Sequence, residues 1–237
     1  MDKEYAGLKE FALFWGADLF GVADISGSEE IYGESPSIKI RLPRAVCLGA
    51  ALSSAVLGEI ERHPTKLYFH HYRSVNILLD QLSLRICRYL ENKGRRAVPI
   101  PASQIVDWEK QRGHLSHKSV AAAAGLGWIG RNNLLVTKKF GSRVRLATVL
   151  TDMLLPADGP GGEGCGSCRA CVSLCPAGAI KESPAEFDHI KCFEKLKEFQ
   201  KARLADQYIC GICVRHCKGA GEARDCAIQG LCHTGLT

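Results

Sequence analysis

Four thiols at fixed steps, Cys165-x2-Cys168-x2-Cys171-x3-Cys175, with Pro176 directly after them, constrain this chain more than any other feature. Three ligands at steps of three let one loop wrap three irons of a cubane. A fourth at a step of four, followed by proline, points away and serves a neighbouring cluster. The run therefore predicts a second set of cysteines nearby, and one exists: Cys192, then Cys210-x2-Cys213-x3-Cys217. Zinc is the competing reading, but zinc is usually held by cysteine pairs closed by a second pair or by histidines. The spacing favours two [4Fe–4S] clusters and a chain that moves electrons.

The last cysteine of each run crosses over to the other cluster in proteins with two such runs. One cluster then takes Cys165, Cys168, Cys171 and Cys217, and the other takes Cys175, Cys192, Cys210 and Cys213. Cys192 stands far from its partners in sequence, and Cys217 is followed by Lys218 instead of proline. Cys226 and Cys232 follow the last ligand and read as spare thiols.

A length of 237 residues suits one sizeable domain and a small one. With 46% hydrophobic and 24% charged residues the chain has the make-up of a soluble globular protein. No apolar stretch reaches the roughly 18 residues that span a bilayer, so no membrane partner is expected. Met1-Asp2-Lys3-Glu4 is charged and lacks an apolar core, which leaves no secretory or twin-arginine address in view. Twelve cysteines, eight of them in metal spacing, point to a reducing cytoplasm. The formal charge of +6 invites a nucleic-acid reading. However, eight ligating thiolates contribute −8 and two [4Fe–4S]2+ cores +4, which brings the loaded protein near +2. That is a weak basis for a polyanion partner.

Residues 4–15 read as an amphipathic helix with Tyr5, Leu8, Ala12 and Trp15 at helical spacing and Gly16 as its stop. Leu19–Ala23 and Ala45–Ala50 read as buried strands, with Cys47 a small core residue. A long helix follows from about Leu67 to Lys93, striped by Val75, Leu78, Leu79, Leu82, Ile86 and Leu90 and closed by Gly94. Prolines confine 97–101 to an extended edge. Ser116 caps a helix through the alanines 121–124, and Leu134–Val136 and Val144–Leu150 read as strands. Gly159–Gly164 reads as a hinge-like linker. A charged helix spans roughly Phe193 to Ala205.

Gly125-Leu126-Gly127-Trp128-Ile129-Gly130 matches G-x-G-x-x-G, but a dinucleotide fingerprint needs a strand before it and a helix after it. Here the order is reversed, which excludes nicotinamide binding at this loop. Its glycines mean close approach to a neighbouring element or to a flat ligand. Most of the eight histidines read as surface or satisfied residues. His114 and His117 precede the loop and are the candidate catalytic proton donors, because imidazole titrates near neutral pH.

With the loop and cysteines together, the chain resembles the cobalamin-dependent epoxyqueuosine reductases and their reductive-dehalogenase relatives. The resemblance lies in Leu8-Lys9 through Asp18–Asp24, in Ala124–Asn133, in Leu150-Thr151-Asp152 and in the order of both cysteine sets. It implies an α+β fold: a nitroreductase-like, cobalamin-binding domain over residues 1–156, then a small two-cluster bacterial ferredoxin-like domain over 157–237. It also implies a base-off cobalamin, with Gly125, Leu126, Gly127, Trp128, Ile129, Gly130 and Asn132 as its candidate contacts. The clusters would pass single electrons to cobalt from a donor such as a ferredoxin or flavodoxin, and a small electrophile or modified nucleoside would be reduced. Two features depart from the family. Its members carry an acidic residue in an Asp-Ser-x-Pro-like stretch before the loop, whereas Trp108–His117 has none; Gln111 falls near that position and Asp107 lies upstream. The family continues into a helical-repeat domain that helps hold transfer RNA, while this sequence stops at Thr237, so transfer-RNA binding carries over less well. The alternative is an electron-transfer or cobalamin-handling protein with no substrate of its own.

Overall fold

A computed structural model describes residues 2–28, 31, 40–162 and 164–219, so the expectations for Cys226 and Cys232 lie outside the described residues. Helix α1, Lys3–Phe14, starts where Asp2 accepts from the Tyr5 N–H at 2.9 Å. Strand β1, Leu19–Asp24, then pairs antiparallel with β2, Arg44–Ala51. A short helix α2, Ser54–Gly58, leads to α3, Lys66–Glu91, whose first turn is capped by Thr65. Strand β3, Ala97–Ile100, forms one edge of the sheet, where Pro99 costs least because an edge strand has a side that needs no donor. Helix α4, His117–Ala123, is capped by Ser116. It is followed by the two-residue strands β4, Trp128–Ile129, and β5, Leu135–Val136, which pair with each other. Strand β6, Val144–Thr151, completes a four-stranded antiparallel sheet in the order β1-β2-β6-β3.

The sheet is buried on both faces. Val46 and Leu48 of β2 join the core under α1 and α3, whereas Ala45 and Cys47 face the core that contains Val120 and Ala121 of α4. This double burial explains why β2 reads as an unbroken apolar run although its pairing is antiparallel. Helix α3 contributes Val75, Leu79, Leu82, Ile86 and Leu90 of the expected stripe to the larger core, while Leu78, expected on the same stripe, is exposed.

The cysteine region carries α5, Ala170–Ser173, α6, His189–Lys201, and α7, Ile212–His216. It docks on the sheet region through shared core residues Ala205, Ile209, Ile212 and Val214, with Cys210 and Cys213 packed against them. The second cysteine set is thus continuous with the larger core. The front of the expected hinge is pinned: Asp158 accepts from the Tyr5 hydroxyl at 2.8 Å and from the Val22 N–H at 2.7 Å. Helix α6 begins at His189 under an Asp188 cap, four residues before the expected Phe193, and this places Cys192 on the helix itself. No helix among the described residues is long and apolar enough to cross a membrane.

Candidate functional site

All ten described cysteines are free thiols; Cys168 is exposed, and the other seven of the two metal-spaced sets are half-buried. Their mutual influence sorts those eight into two groups. Burial first, then the neighbouring Cys217, Cys165 and Cys168, pushes the Cys171 thiol up to about 11. Burial and Cys175 push Cys192 up to about 11, and burial with Cys192 and Cys175 does the same to Cys210. Cys213 is raised well above the usual thiol range by burial, then by Cys210, Cys192, Cys171 and Cys175. Cys213 also feels Cys171, so the groups are neighbours. Among the described residues no three His, Cys, Asp or Glu side chains converge to hold one metal ion. A cubane spreads its thiolates over four irons, so its ligands stand further apart than those of one tetrahedral ion.

Gly211, between the last two cysteines of the inner group, has φ 87°. A Cβ there would come within 2.7 Å of both Ile60 and the Tyr68 ring, so only glycine lets this turn close on α3. Tyr68 is buried and feels both Cys213 and Cys210; burial is the main cause that keeps its hydroxyl protonated.

Tyr68 also lines a hollow of about 190 Å3, together with Leu52, His117, Lys118, Arg145 and Val214. A second hollow of about 290 Å3 shares Ala102 and His117 with it and is walled by Tyr72, Gln104, Trp108, His114 and Tyr208. Both therefore run along the seam between sheet region and cysteine region. Tyr208 packs edge-on against Trp108 and Phe193, with ring centres 5.9 and 5.3 Å apart.

His117 is committed to the fold. Its Nε2 lies 2.9 Å from the Pro101 carbonyl and its Nδ1 2.8 Å from the Thr148 hydroxyl. Burial drives its pKa down to about 4, so near neutral pH the ring is uncharged. His114 lines the second hollow and meets Gln104 Oε1 at 3.0 Å. The group that sequence reasoning passed over is Lys118, whose ammonium donates to the Asn133 carbonyl at 2.9 Å and to its Oδ1 at 2.6 Å. Burial lowers its pKa to about 8. Asn133 in turn donates to His189 Nε2 at 2.7 Å, which ties the lysine to the helix that carries Cys192.

The glycine loop approaches neighbouring protein, the first of the two options its sequence leaves open. A Cβ on Gly125 would meet the Gly159 carbonyl, one on Gly127 the Val136 carbonyl, and one on Gly130 would reach 3.4 Å from Cys165 Sγ. Leu126, Trp128 and Ile129 lie outside both hollows, as do the three glycines. Trp128 is buried, and its indole N–H has no hydrogen-bond partner. Asn132 is buried and donates to Ser142 at 3.0 Å, so it holds the turn together. The hollows are lined instead by the residues just before and after this loop.

No protein-family model matches the chain. Over 199 residues it is 29% identical to the epoxyqueuosine reductase of Salmonella typhimurium, covering 83% of this chain and 47% of that protein. Among solved structures, one described as a reductive dehalogenase that suggests a mechanism for B12-dependent dehalogenation superposes with a TM-score of 0.70 at 18% identity, covering 95% of this chain and 33% of that one. An epoxyqueuosine reductase solved with an epoxyqueuosine-modified tRNA stem loop superposes with a TM-score of 0.57 at 24% identity, covering 90% of this chain and 64% of that one. These likenesses define an α+β fold shared by two groups of reductases. The chain is thus similar in sequence to epoxyqueuosine reductases, and it shares a fold with them and with reductive dehalogenases. It spans about half the length of that curated relative.

The clusters and corrinoid that the resemblance implies set a test of fit. The donor set suits two cubanes, since the thiols fall into two groups of four and the Arg131 guanidinium donates to the Cys168 and Gly166 carbonyls of the outer group's loop. The corrinoid fits less well. Ligand-sized pockets run from about 300 to 1,000 Å3, each hollow falls below that range, and a corrinoid with its nucleotide tail exceeds drug-sized ligands. The described residues offer such a group one wall and do not enclose it.

Proposed function

We infer that this chain is an iron–sulfur reductase in which two [4Fe–4S] clusters deliver single electrons to an acceptor bound in the paired hollows. Cys165, Cys168, Cys171 and Cys217 would hold the outer cluster, which takes electrons from a small redox protein at the exposed Cys168 edge. Cys175, Cys192, Cys210 and Cys213 would hold the inner one. The observation that carries the reading is Tyr68, which lines the smaller hollow and stands so close to Gly211, between Cys210 and Cys213, that a Cβ there would come within 2.7 Å of its ring. Electrons leaving the inner cluster therefore have one side chain to cross.

Reduction also needs a proton. Lys118 supplies it, because a lysine brought down toward neutrality by burial gives up its proton more readily than one in water. Asn133 accepts two of its three N–H bonds, which leaves the third for the hollow. Two cations, Lys118 and Arg145, and no carboxylate line the smaller hollow, so an acceptor with an anionic group suits it. A modified nucleoside or a small electrophile is the substrate class, and a reducing cytoplasm suits its free thiols.

The test is made anaerobically on protein reconstituted with iron and sulfide, reduced, and freed of excess reductant. Cob(II)alamin, then an RNA stem loop carrying epoxyqueuosine, is added while cluster absorption is followed. Cluster reoxidation matched to reduction of either additive supports the reading. Clusters that stay reduced with both overturn it in favour of a carrier with no substrate of its own.

A further inference from the structure

Arg131 follows the last glycine of the loop, and its side chain crosses from the sheet region to the cysteine region. Its Nη1 donates to the Cys168 carbonyl at 2.9 Å and its Nη2 to the Gly166 carbonyl at 3.0 Å. Both carbonyls belong to the loop that carries Cys165 and Cys168. The side chain is only 12% exposed, and Nε makes no hydrogen bond; its ion-pair partner, Glu182 Oε2, stands 3.6 Å away. Glu182 is itself gripped by Arg169, whose Nε donates to both carboxylate oxygens at 3.0 Å. Two guanidinium groups thus share one carboxylate, and the surplus positive charge sits on the buried member, against the ligand loop. The chain is close to the same loop just before Arg131, where a Cβ on Gly130 would lie 3.4 Å from Cys165 Sγ and clash with Val136.

We propose that Arg131 sets the reduction potential of the outer cluster, the one held by Cys165, Cys168, Cys171 and Cys217. The proposal rests on the ligand reading given above. Reduction adds one electron to a cubane that, with four thiolates, already carries a net negative charge. A fixed cation beside it stabilises the reduced state more than the oxidised one and raises the potential. Arginine suits the task because it stays charged at all working pH values and its planar fork matches two carbonyls at once. The inner cluster has no part in this contact, so the effect is confined to one of the two centres.

The experiment is a potentiometric titration of the reconstituted full chain, followed by spin resonance, with iron counted in each sample. Arg131→Gln is expected to retain its iron and to shift one midpoint to a more negative value while the other stays in place. Arg131→Lys, which keeps the charge, is expected to hold that midpoint close to the wild-type value. Glu182→Gln, which removes the counter-charge from an exposed carboxylate, is expected to move the same midpoint the opposite way by a smaller amount. Two unmoved midpoints in an iron-replete Arg131→Gln protein overturn the proposal. If that variant loads no iron, Glu182→Gln decides: a rise in one midpoint supports the assignment and no change overturns it. A wild-type protein that loads no cluster on these thiols overturns the ligand reading itself, and the proposal with it.

Discussion

Helix α3 buries nine of its 26 side chains against the sheet and its neighbours, whereas α6, half as long, buries none. The same contrast runs through the two regions. Leu8, Val22, Val46, Leu79, Ile86 and Leu150 are wholly removed from water around the sheet, and the helix Ala170–Ser173 in the cysteine region has no buried residue. Apolar burial at about 25 cal/mol per Å2 can hold the sheet region together by itself. The cysteine region has its share of the larger core only at Ala205, Ile209, Ile212 and Val214. Ala179 and Ile180 are buried as well; on the proposed reading the rest of its fold depends on what its thiols bind, since binding free energy at a site absent from the unfolded chain becomes folding free energy.

Removing iron is the strongest way to break this comparison. Chelation is expected to strip amide-exchange protection from residues 165–201 while the strands Arg44–Ala51 and Val144–Thr151 keep theirs. Equal loss in both regions would mean that one cooperative unit spans the chain. The converse perturbation is Leu82→Ala, at a fully buried position on α3. It should cost about 2–5 kcal/mol in urea unfolding, and cluster absorption should persist until the whole protein unfolds.

A third prediction sharpens the role of His117. Its pKa falls from 6.5 to about 4 on folding, so below pH 6.5 the unfolded chain binds a proton that the native one refuses. The resulting stability is complete above pH 6.5, falls as pH drops toward 4, and amounts to about 3 kcal/mol at most. His117→Gln should flatten that slope in urea midpoints taken between pH 4 and 6.5. An unchanged slope would show that the ring is not held neutral in the core. The smallest effect belongs to the surface. Arg96 pairs with Asp152 at 3.0 Å with its side chain 69% exposed, and Arg96→Ala should cost no more than about 1 kcal/mol.

What the sequence made legible follows the same division. The stripe from Val75 to Leu90 and the apolar run of β2 placed their elements to within two residues, because burial periodicity is local information. The start of α6 was read four residues late. Asp188 was an available cap, but the charged run after Cys192 drew attention away from it. The proposed grouping of the eight thiols comes from spacing, since cubane chemistry dictates the steps. The polar side chains around them could not. Arg131 finds its carbonyl partners 35 and 37 residues downstream, and Lys118 reaches the Cys192 helix only through Asn133. A lysine opening an otherwise apolar helix next to the glycine loop was a usable signal. Nor does the sequence show that both ring nitrogens of its neighbour His117 are hydrogen-bonded within the fold.

Iron, sulfide and zinc should be counted per chain on protein reconstituted without oxygen, together with the spin-resonance spectrum of the reduced sample. About eight irons and eight sulfides, with the broadened signal of two interacting cubanes, is the predicted result. Stoichiometric zinc, disulfide-bonded thiols, or a single uncoupled cluster would contradict the account at its centre.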